Sequence, residues 1–266
     1  MQLNRRTQSF RDRYGTWAVL AGAGEGLGAA FAMDLARRGM NVLLIARREH
    51  QIATVAAEIQ STYEVQARCL ACDLGLAKTI SEIETEVADK EVGVLVYNAA
   101  HIPIGCFLDI DASDIEQALA VNVRGPIALI HSLVPGMQTR QRGGIVLMSS
   151  LAGLQGAHGL VTYSSSKAFN IILGEGLWRE LREHGIDVVT CIAGAVRTPG
   201  YARYSSRDTP GILDPETVAR QALDALPNGP RFIPGLTNRF SAQLLTRLLP
   251  RKAAIALLAN ASHRRD

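Results

Sequence analysis

Trp17 Ala18 Val19 Leu20 Ala21 Gly22 Ala23 Gly24 Glu25 Gly26 Leu27 Gly28 is the stretch that decides the fold. Five apolar residues precede four alternating glycines, and an apolar helical pattern then runs through Phe31 and Leu35 to Gly39. The order is strand, glycine turn, helix. Such a turn lets backbone N–H groups approach a pyrophosphate closely, and the helix N-terminus adds its positive dipole end. Gly22, Gly24, Glu25, Gly26, Leu27 and Gly28 therefore form a candidate dinucleotide cradle. Alone, the turn is equally a tight loop, so the residues that follow must decide.

They continue the unit. Asn41–Ala46 is a second apolar strand, and Arg47 and Arg48 stand at its end, where an adenosine ribose would lie. An acid there would accept a bond from the 2′-OH, whereas arginine forks onto a 2′-phosphate. The pair predicts a preference for NADP(H), with NAD(H) possible. Two solvated arginines opening a helix is the other reading of the same residues.

Further along, apolar strands alternate with helical patterns. Ile52, Val55, Ala56 and Ile59 share a helix; Val92–Tyr97 is a strand; a helix runs from Ser113 to about Met137; Gly144–Ser149 is a strand. A helix to about His184, a strand Asp187–Ile192, a loop from Ala193 to Leu213 and a helix from Pro215 complete the series. The alternation predicts an α/β fold, a single-domain, Rossmann-like, doubly wound parallel sheet with helices on both faces. Ligands of such sheets bind beyond the carboxyl ends of the strands, where Asn98, Ser150 and Gly194 all lie.

Tyr163 and Lys167 are four apart on the predicted helix and so share a face, thirteen residues beyond Ser150. A cation beside a phenol lowers its pKa and makes it a usable proton donor. A tyrosine and a lysine lining a wet helix face would show the same spacing. Asn122 falls on a face with Ile115 and Leu119, so its amide needs a partner inside the protein. Pro126, four residues on, has no N–H for the Asn122 carbonyl, which leaves either a site for an ordered water or a plain helix kink.

Composition agrees with one enzyme domain. The chain has 266 residues, 47% of them hydrophobic, enough for a full core. Met1 to Arg13 is polar and Arg-rich, unlike a signal peptide, and no unbroken apolar run is long enough to span a bilayer, so a cytoplasmic location is expected. Cys69 and Cys72 have CxxC spacing but lie on a predicted strand, where positions three apart face opposite ways; both read as small buried hydrophobes. The six histidines show no paired ligand spacing, and no metal site is expected.

With these residues assembled, the chain resembles the short-chain dehydrogenase/reductase family from Trp17 to about Pro234. The family's TGxxxGxG loop stands as Ala21 Gly22 Ala23 Gly24 Glu25 Gly26 Leu27 Gly28, and its adenine-side acid as Asp73 followed by Leu74. Its catalytic set stands as Asn122, Ser150, Tyr163 and Lys167. The resemblance implies that Tyr163 is the general acid/base and that Ser150 orients and polarises the carbonyl. It implies that Lys167 holds the nicotinamide ribose and that the Asn122 carbonyl anchors a relay water. Asn98, Ala99, Ala100, Gly194, Val196 and Thr198 are implied cofactor contacts, with Val196 and Thr198 at the positions that meet the carboxamide. Gly15 to Asp73 is most similar to the branch of long-chain 3-oxoacyl-CoA reductases and hydroxysteroid dehydrogenases, and to bacterial relatives of unassigned substrate. By analogy, the substrate is a hydrophobic carbonyl or alcohol. Family habit implies a homodimer or homotetramer packed through the helices of Asn122 and Tyr163.

The departures are specific. Tyr97 replaces an asparagine, Ala100 replaces a turn glycine, Ala193 replaces a proline, and Ala21 replaces a threonine. Glu25 stands where NADP-preferring members often carry a base. Tyr97, His101, Leu151, Gln155, His158 and the loop from Ala195 to Tyr204 are expected to line the substrate pocket, since they follow sheet ends near Ser150 and Tyr163.

The stretch Met1 to about Gly235 reads as the catalytic and dinucleotide-binding domain, and Leu236–Asp266 as a basic, amphipathic helical extension of it. From Pro230 onward the net charge is +6, so the rest of the chain carries −3 of the total +3. Phe240, Leu244, Leu245, Leu248 and Leu249 recur at near-helical spacing among Arg239, Arg247, Arg251 and Lys252. This helix either packs on the domain or a second subunit, or rests weakly on an anionic membrane. The charge balance elsewhere gives no reason to expect nucleic acid. A cofactor-sensing protein that lost turnover, and a peripheral membrane protein, are the alternatives to an enzyme.

Overall fold

The structure, a computed structural model, describes residues 10–203 and 208–256. Seven parallel strands lie in the order β3-β2-β1-β4-β5-β6-β7. They are β1 (Trp17–Ala21), β2 (Asn41–Ala46), β3 (Ala67–Ala71), β4 (Val92–Tyr97), β5 (Gly143–Ser150), β6 (Ile186–Ala193) and the short β7 (Arg231–Phe232). The principal helices are α1 (Gly26–Arg37), α2 (Glu49–Thr62), α3 (Thr79–Val87), α4 (Ala112–Leu119), α5 (Gly125–Arg140) and α6 (Val161–Leu181). After β6 come a single turn, α7 (Pro199–Ala202), then α8 (Pro215–Ala225) and α9 (Leu236–Gln243).

The strands are apolar throughout because both faces are covered. Ala18, Leu20, Val42, Leu44, Val94, Val96, Val146 and Met148 point to the side packed by Phe31, Leu35, Ile52, Ile59, Val218 and Leu223. Their neighbours Val19, Ala21, Leu43, Ile45, Leu95, Ile145 and Leu147 point to the other, packed by Leu129, Leu133 and Met137. Each strand thus divides its residues alternately between two cores. The order of strands reverses between β1 and β4, and the turn after β1 opens at that switch point.

Three expectations change here. The helix from Ser113 does not run straight to Met137: a π-helical turn at Ala120–Arg124 separates α4 from α5. That extra residue rotates the face, so Leu119 is 42% exposed while Asn122 is fully buried. The joined helix Ala112–Arg140 is long and apolar enough by composition to cross a membrane, but half of that stretch is buried and α5 packs on the sheet as a core helix. Of the two cysteines, Cys69 on β3 is exposed, while Cys72, just past the end of that strand, is buried. The segment after β6 also carries more order than a loop, with Val196 bridged to Leu213 beside α7.

Candidate active site

The glycine turn is built for close approach. Gly22 takes a φ of +85°, and a Cβ there would come within 2.6 Å of the Ala99 amide nitrogen. Gly26 has a φ of +54° and lies under the Thr198 methyl, and a Cβ on Gly28 would fall on the Gly22 carbonyl. Only glycine satisfies these positions. Asn98 secures the turn, its Nδ2 donating to the Gly22 carbonyl at 2.8 Å, while the Asn98 and Ala99 amides both donate to Ala21. The result is a bare backbone cradle opening α1, which suits a dinucleotide pyrophosphate.

At the adenosine side Arg47 is exposed and has no acidic partner among the described residues. Arg48 does: its guanidinium lies 3.1 Å from Glu25, and Arg203 reaches the same carboxylate at 2.7 Å. Burial would raise the Glu25 carboxyl, but Arg203 and Arg48 together hold it below its ordinary value. Asp73 accepts from the Gly75 amide at 2.8 Å and from Gln117, which fixes the turn after β3, and Leu74 is buried behind it. Ala100 is exposed at the start of the next loop.

Ser150 ends β5, where its hydroxyl accepts from the Ala152 amide at 3.2 Å and acts to ease ionisation of the Tyr163 phenol. Gly153 makes this meeting possible, because a Cβ there would lie 2.7 Å from the Lys167 carbonyl carbon; the turn after β5 presses directly on α6. Lys167 is 3% exposed, donates to the Met148 carbonyl at 3.0 Å, and lies 5.5 Å from the Tyr163 ring centre. Burial pulls its ammonium down to about 8. The expected lowering of Tyr163 by Lys167 is not what this structure shows. Burial raises the phenol, opposed by Ser150, while the Lys167 ammonium donates to the Met148 carbonyl.

Asn122 finds the partners its burial demands. Its Oδ1 accepts from the His101 amide at 2.8 Å, and its Nδ2 donates to the His101 carbonyl at 2.7 Å and to Ser166 Oγ at 3.1 Å. This ties α6, through the neighbour of Lys167, to the loop after β4.

The expected pocket-lining residues divide. Tyr97 does not line a pocket: it is buried at the end of β4, with its hydroxyl donating to the Val121 carbonyl at 2.6 Å. His101 gives its backbone to Asn122 and its ring to Asp114 at 2.6 Å. Leu151 is half-buried beside Ser150, and His158 lies on an exposed part of the loop before α6. Gln155 is 4% exposed, and neither of its amide atoms has a partner among the described residues. Ala195 accepts from Leu213, and Tyr204 lies outside the described residues. Gly194 is small for another reason than cofactor approach, since a Cβ would meet Asn238 at 2.6 Å.

Asn238 itself had no signal in the sequence. It donates to the Gly211 and Pro234 carbonyls, both at 3.0 Å, and so fastens the segment after β6 to α9. Arg203 and Ser166 were also unmarked, because their roles arise only when separate loops meet.

The profile of the short chain dehydrogenase family matches residues 16–208, spanning the glycine turn, Ser150, Tyr163 and Lys167. The chain belongs to the short-chain dehydrogenase/reductase family. A 7beta-hydroxysteroid dehydrogenase of Clostridium sardiniense is 29% identical, over 87% of this chain and 90% of its own length. A solved structure of a 7beta-hydroxysteroid dehydrogenase superposes with a TM-score of 0.89 at 25% identity, covering 94% of this chain and 98% of that one. A very-long-chain 3-oxoacyl-CoA reductase of Laccaria bicolor is 34% identical over 68% of this chain, which spans 55% of that relative. A short-chain dehydrogenase of Sphingobium yanoikuyae in complex with NADPH superposes with a TM-score of 0.76 at 25% identity, over 88% and 94% of the two chains. The protein is therefore an oxidoreductase of this family acting on CH–OH groups with NAD(P).

Proposed function

We propose that the protein interconverts a hydrophobic ketone or aldehyde and its alcohol, with NADP(H) preferred over NAD(H). The observation that carries this reading is the buried Lys167 ammonium 5.5 Å from the Tyr163 ring centre, with Ser150 at the end of β5 on the side that eases ionisation of the same phenol. The bound cofactor would supply or accept the hydride at its nicotinamide ring. The glycine turn, Asn98, Val196 and Thr198 would hold it, and Lys167 would donate to the ribose hydroxyls. In reduction Ser150 donates to the substrate oxygen, and Tyr163 passes its proton to the developing alkoxide. A phenol raised by burial is protonated at neutral pH, which suits it to give a proton in that direction. The Lys167 ammonium beside the ring would stabilise the phenolate left behind. Support for NADP(H) comes from Arg47 and Arg48 and from the NADPH complex of a structural relative.

Support for an apolar substrate comes from the loop after β4, where Ile104, Phe107 and Leu108 are exposed. The Gly105 amide ties this loop to the Gly159 carbonyl, four residues before Tyr163. Steroid ketones, 3-oxoacyl thioesters and aromatic ketones are the substrate classes proposed on this ground. NADPH oxidation across those three classes, with NADH in parallel, tests the reading; turnover of none of them by either cofactor would overturn it.

The oligomer belongs to the same proposal. Ile127 and His131 join two apolar grooves into one face, running over α4, α5 and the Leu173 and Leu177 side of α6, with Ile172 65% exposed beside it. A second copy of the chain covers this face. A membrane-surface contact is the second reading for the C-terminal segment. Ala242, Leu245 and Ala254 are buried, yet Phe240 and Leu248 are exposed beside Arg247. Flotation with anionic liposomes, for the intact chain and for Phe240→Ser with Leu248→Ser, decides it.

A further inference from the structure

We infer that the Tyr97 hydroxyl is a positioning group for the Asn122 carbonyl, holding open the π-helical turn that presents it. The inference rests on the function proposed above. In a regular helix the Gly125 amide would bond the Val121 carbonyl; here it donates to Ala120, one residue further back. Val121 is buried, so its released carbonyl needs a donor from elsewhere. The Tyr97 phenol supplies it at 2.6 Å from the end of β4. One residue on, Pro126 denies Asn122 an i+4 amide. The turn therefore releases two adjacent carbonyls. Tyr97 takes the first, and the second is left with no α-helical amide to bond.

Two observations show that the geometry is specific. A Cβ on Gly125 would fall on the Tyr97 hydroxyl, so phenol and glycine use the same space and a side chain at 125 would expel the donor. The Asn122 side chain is gripped independently by His101 and Ser166, so the residue is held through both its side chain and the peptide preceding it. Because Ser166 adjoins Lys167, these grips set the Asn122 carbonyl relative to the lysine. Burial, and then the Asp73 charge, keep the phenol far above its ordinary pKa, so it stays a donor at every working pH. In the family pattern an asparagine stands at this position; here a longer group crosses to the neighbouring helix.

Tyr97→Phe removes only the hydroxyl. With the ketone that the screen above ranks first, kcat is expected to fall about tenfold, with the solvent isotope effect on kcat rising as proton delivery becomes limiting. NADPH affinity, read by fluorescence titration, stays within about twofold. Amide exchange across Val121–Ile130 quickens while that of α6 does not. Unchanged kcat, or a loss of kcat with an unchanged isotope effect, overturns the inference, as does unchanged exchange in the turn. If Tyr97→Phe folds poorly, Gly125→Ala serves in its place, since the new methyl displaces the hydroxyl. The double variant should then be more stable than Gly125→Ala alone, because phenylalanine leaves room for the methyl, and strict additivity would also overturn the inference. Tyr163→Phe separates the two levels. If it is inactive while Tyr97→Phe behaves as wild type, only this inference fails; if it is active, the proposed function fails.

Discussion

The Glu25 carboxylate lies 3.1 Å from the Arg48 guanidinium, so an acid of the glycine turn occupies one of the two arginines suited to a 2′-phosphate. Arg203, from the segment after β6, grips the same carboxylate. A phosphate arriving at Arg48 must compete with this acid and feels its charge. Glu25→Gln should strengthen NADPH binding about fivefold and leave NADH within twofold, since a half-exposed pair is worth about 1 kcal/mol. Fluorescence titration with both cofactors measures the ratio, and a weaker NADPH complex would show that Glu25 contributes through Arg203 instead.

Removing the proton donor should separate chemistry from binding. Tyr163→Phe is expected to lower kcat at least about a hundredfold while NADPH affinity stays near that of the unaltered protein. Steady-state rates and a titration on the same preparation supply both numbers. Near-normal turnover would remove Tyr163 from the role assigned to it.

Lys167 carries a cost that pH exposes. It titrates near 8 in the fold against 10.5 when free, so between those values the unfolded chain binds more protons and this group's contribution to stability rises with pH. The penalty is full below pH 8 and gone above 10.5. Replacing the ammonium should recover about 3 kcal/mol at pH 7, less about 1 kcal/mol for the Met148 carbonyl left without its donor. Lys167→Met should thus be inactive yet about 2 kcal/mol more stable at pH 7, with the gain fading by pH 10.5. Urea melts of both proteins at the two pH values give the difference directly.

Gly153 is where the turn after β5 crosses α6. A methyl there meets the Lys167 carbonyl carbon at 2.7 Å, and backbone on both sides can only separate. Gly153→Ala should cost about 1–3 kcal/mol and move Ser150 away from Tyr163, so that kcat falls along with the melting temperature. A variant that is destabilised but fully active would mean the crossing does not set that contact.

The exposed seam on α5 and α6 gives a test of assembly. Ile127→Glu with Ile172→Glu should turn a dimer or tetramer into a monomer by light scattering, since the charges would be buried against a second copy. A wild-type chain that is already monomeric would end that proposal.

Much of this molecule was readable beforehand, for a physical reason. Strands such as Asn41–Ala46 and Val92–Tyr97 fall where expected because a doubly covered sheet demands unbroken apolar runs. The glycine turn was legible because backbone approach tolerates no other residue. What the chain order concealed are contacts whose partners meet only after folding. Asn122 read as one stop on a regular helical face, and a single extra residue in the turn moved Leu119 outward. Tyr97 read as a wall of the pocket because it ends a strand beside the cleft, but its side chain crosses to Val121 instead. The short α3 (Thr79–Val87) went unread although Ile80, Ile83 and Val87 mark one face of it.

The clamp made by Asn238 has a consequence for how recognition can diverge. One amide grips Gly211 and Pro234 and fills the space beside Gly194, so both ends of the segment leaving β6 hang from a single hook. Residues strung between those ends, other than Val196, Thr198 and Arg203, which bear on the cofactor turn, can be exchanged without disturbing Ser150, Tyr163 or Lys167, which rest on β5 and α6. Selectivity for the carbonyl compound can therefore drift independently of the proton-handling apparatus, and grafting that segment between relatives is the natural way to retarget this scaffold.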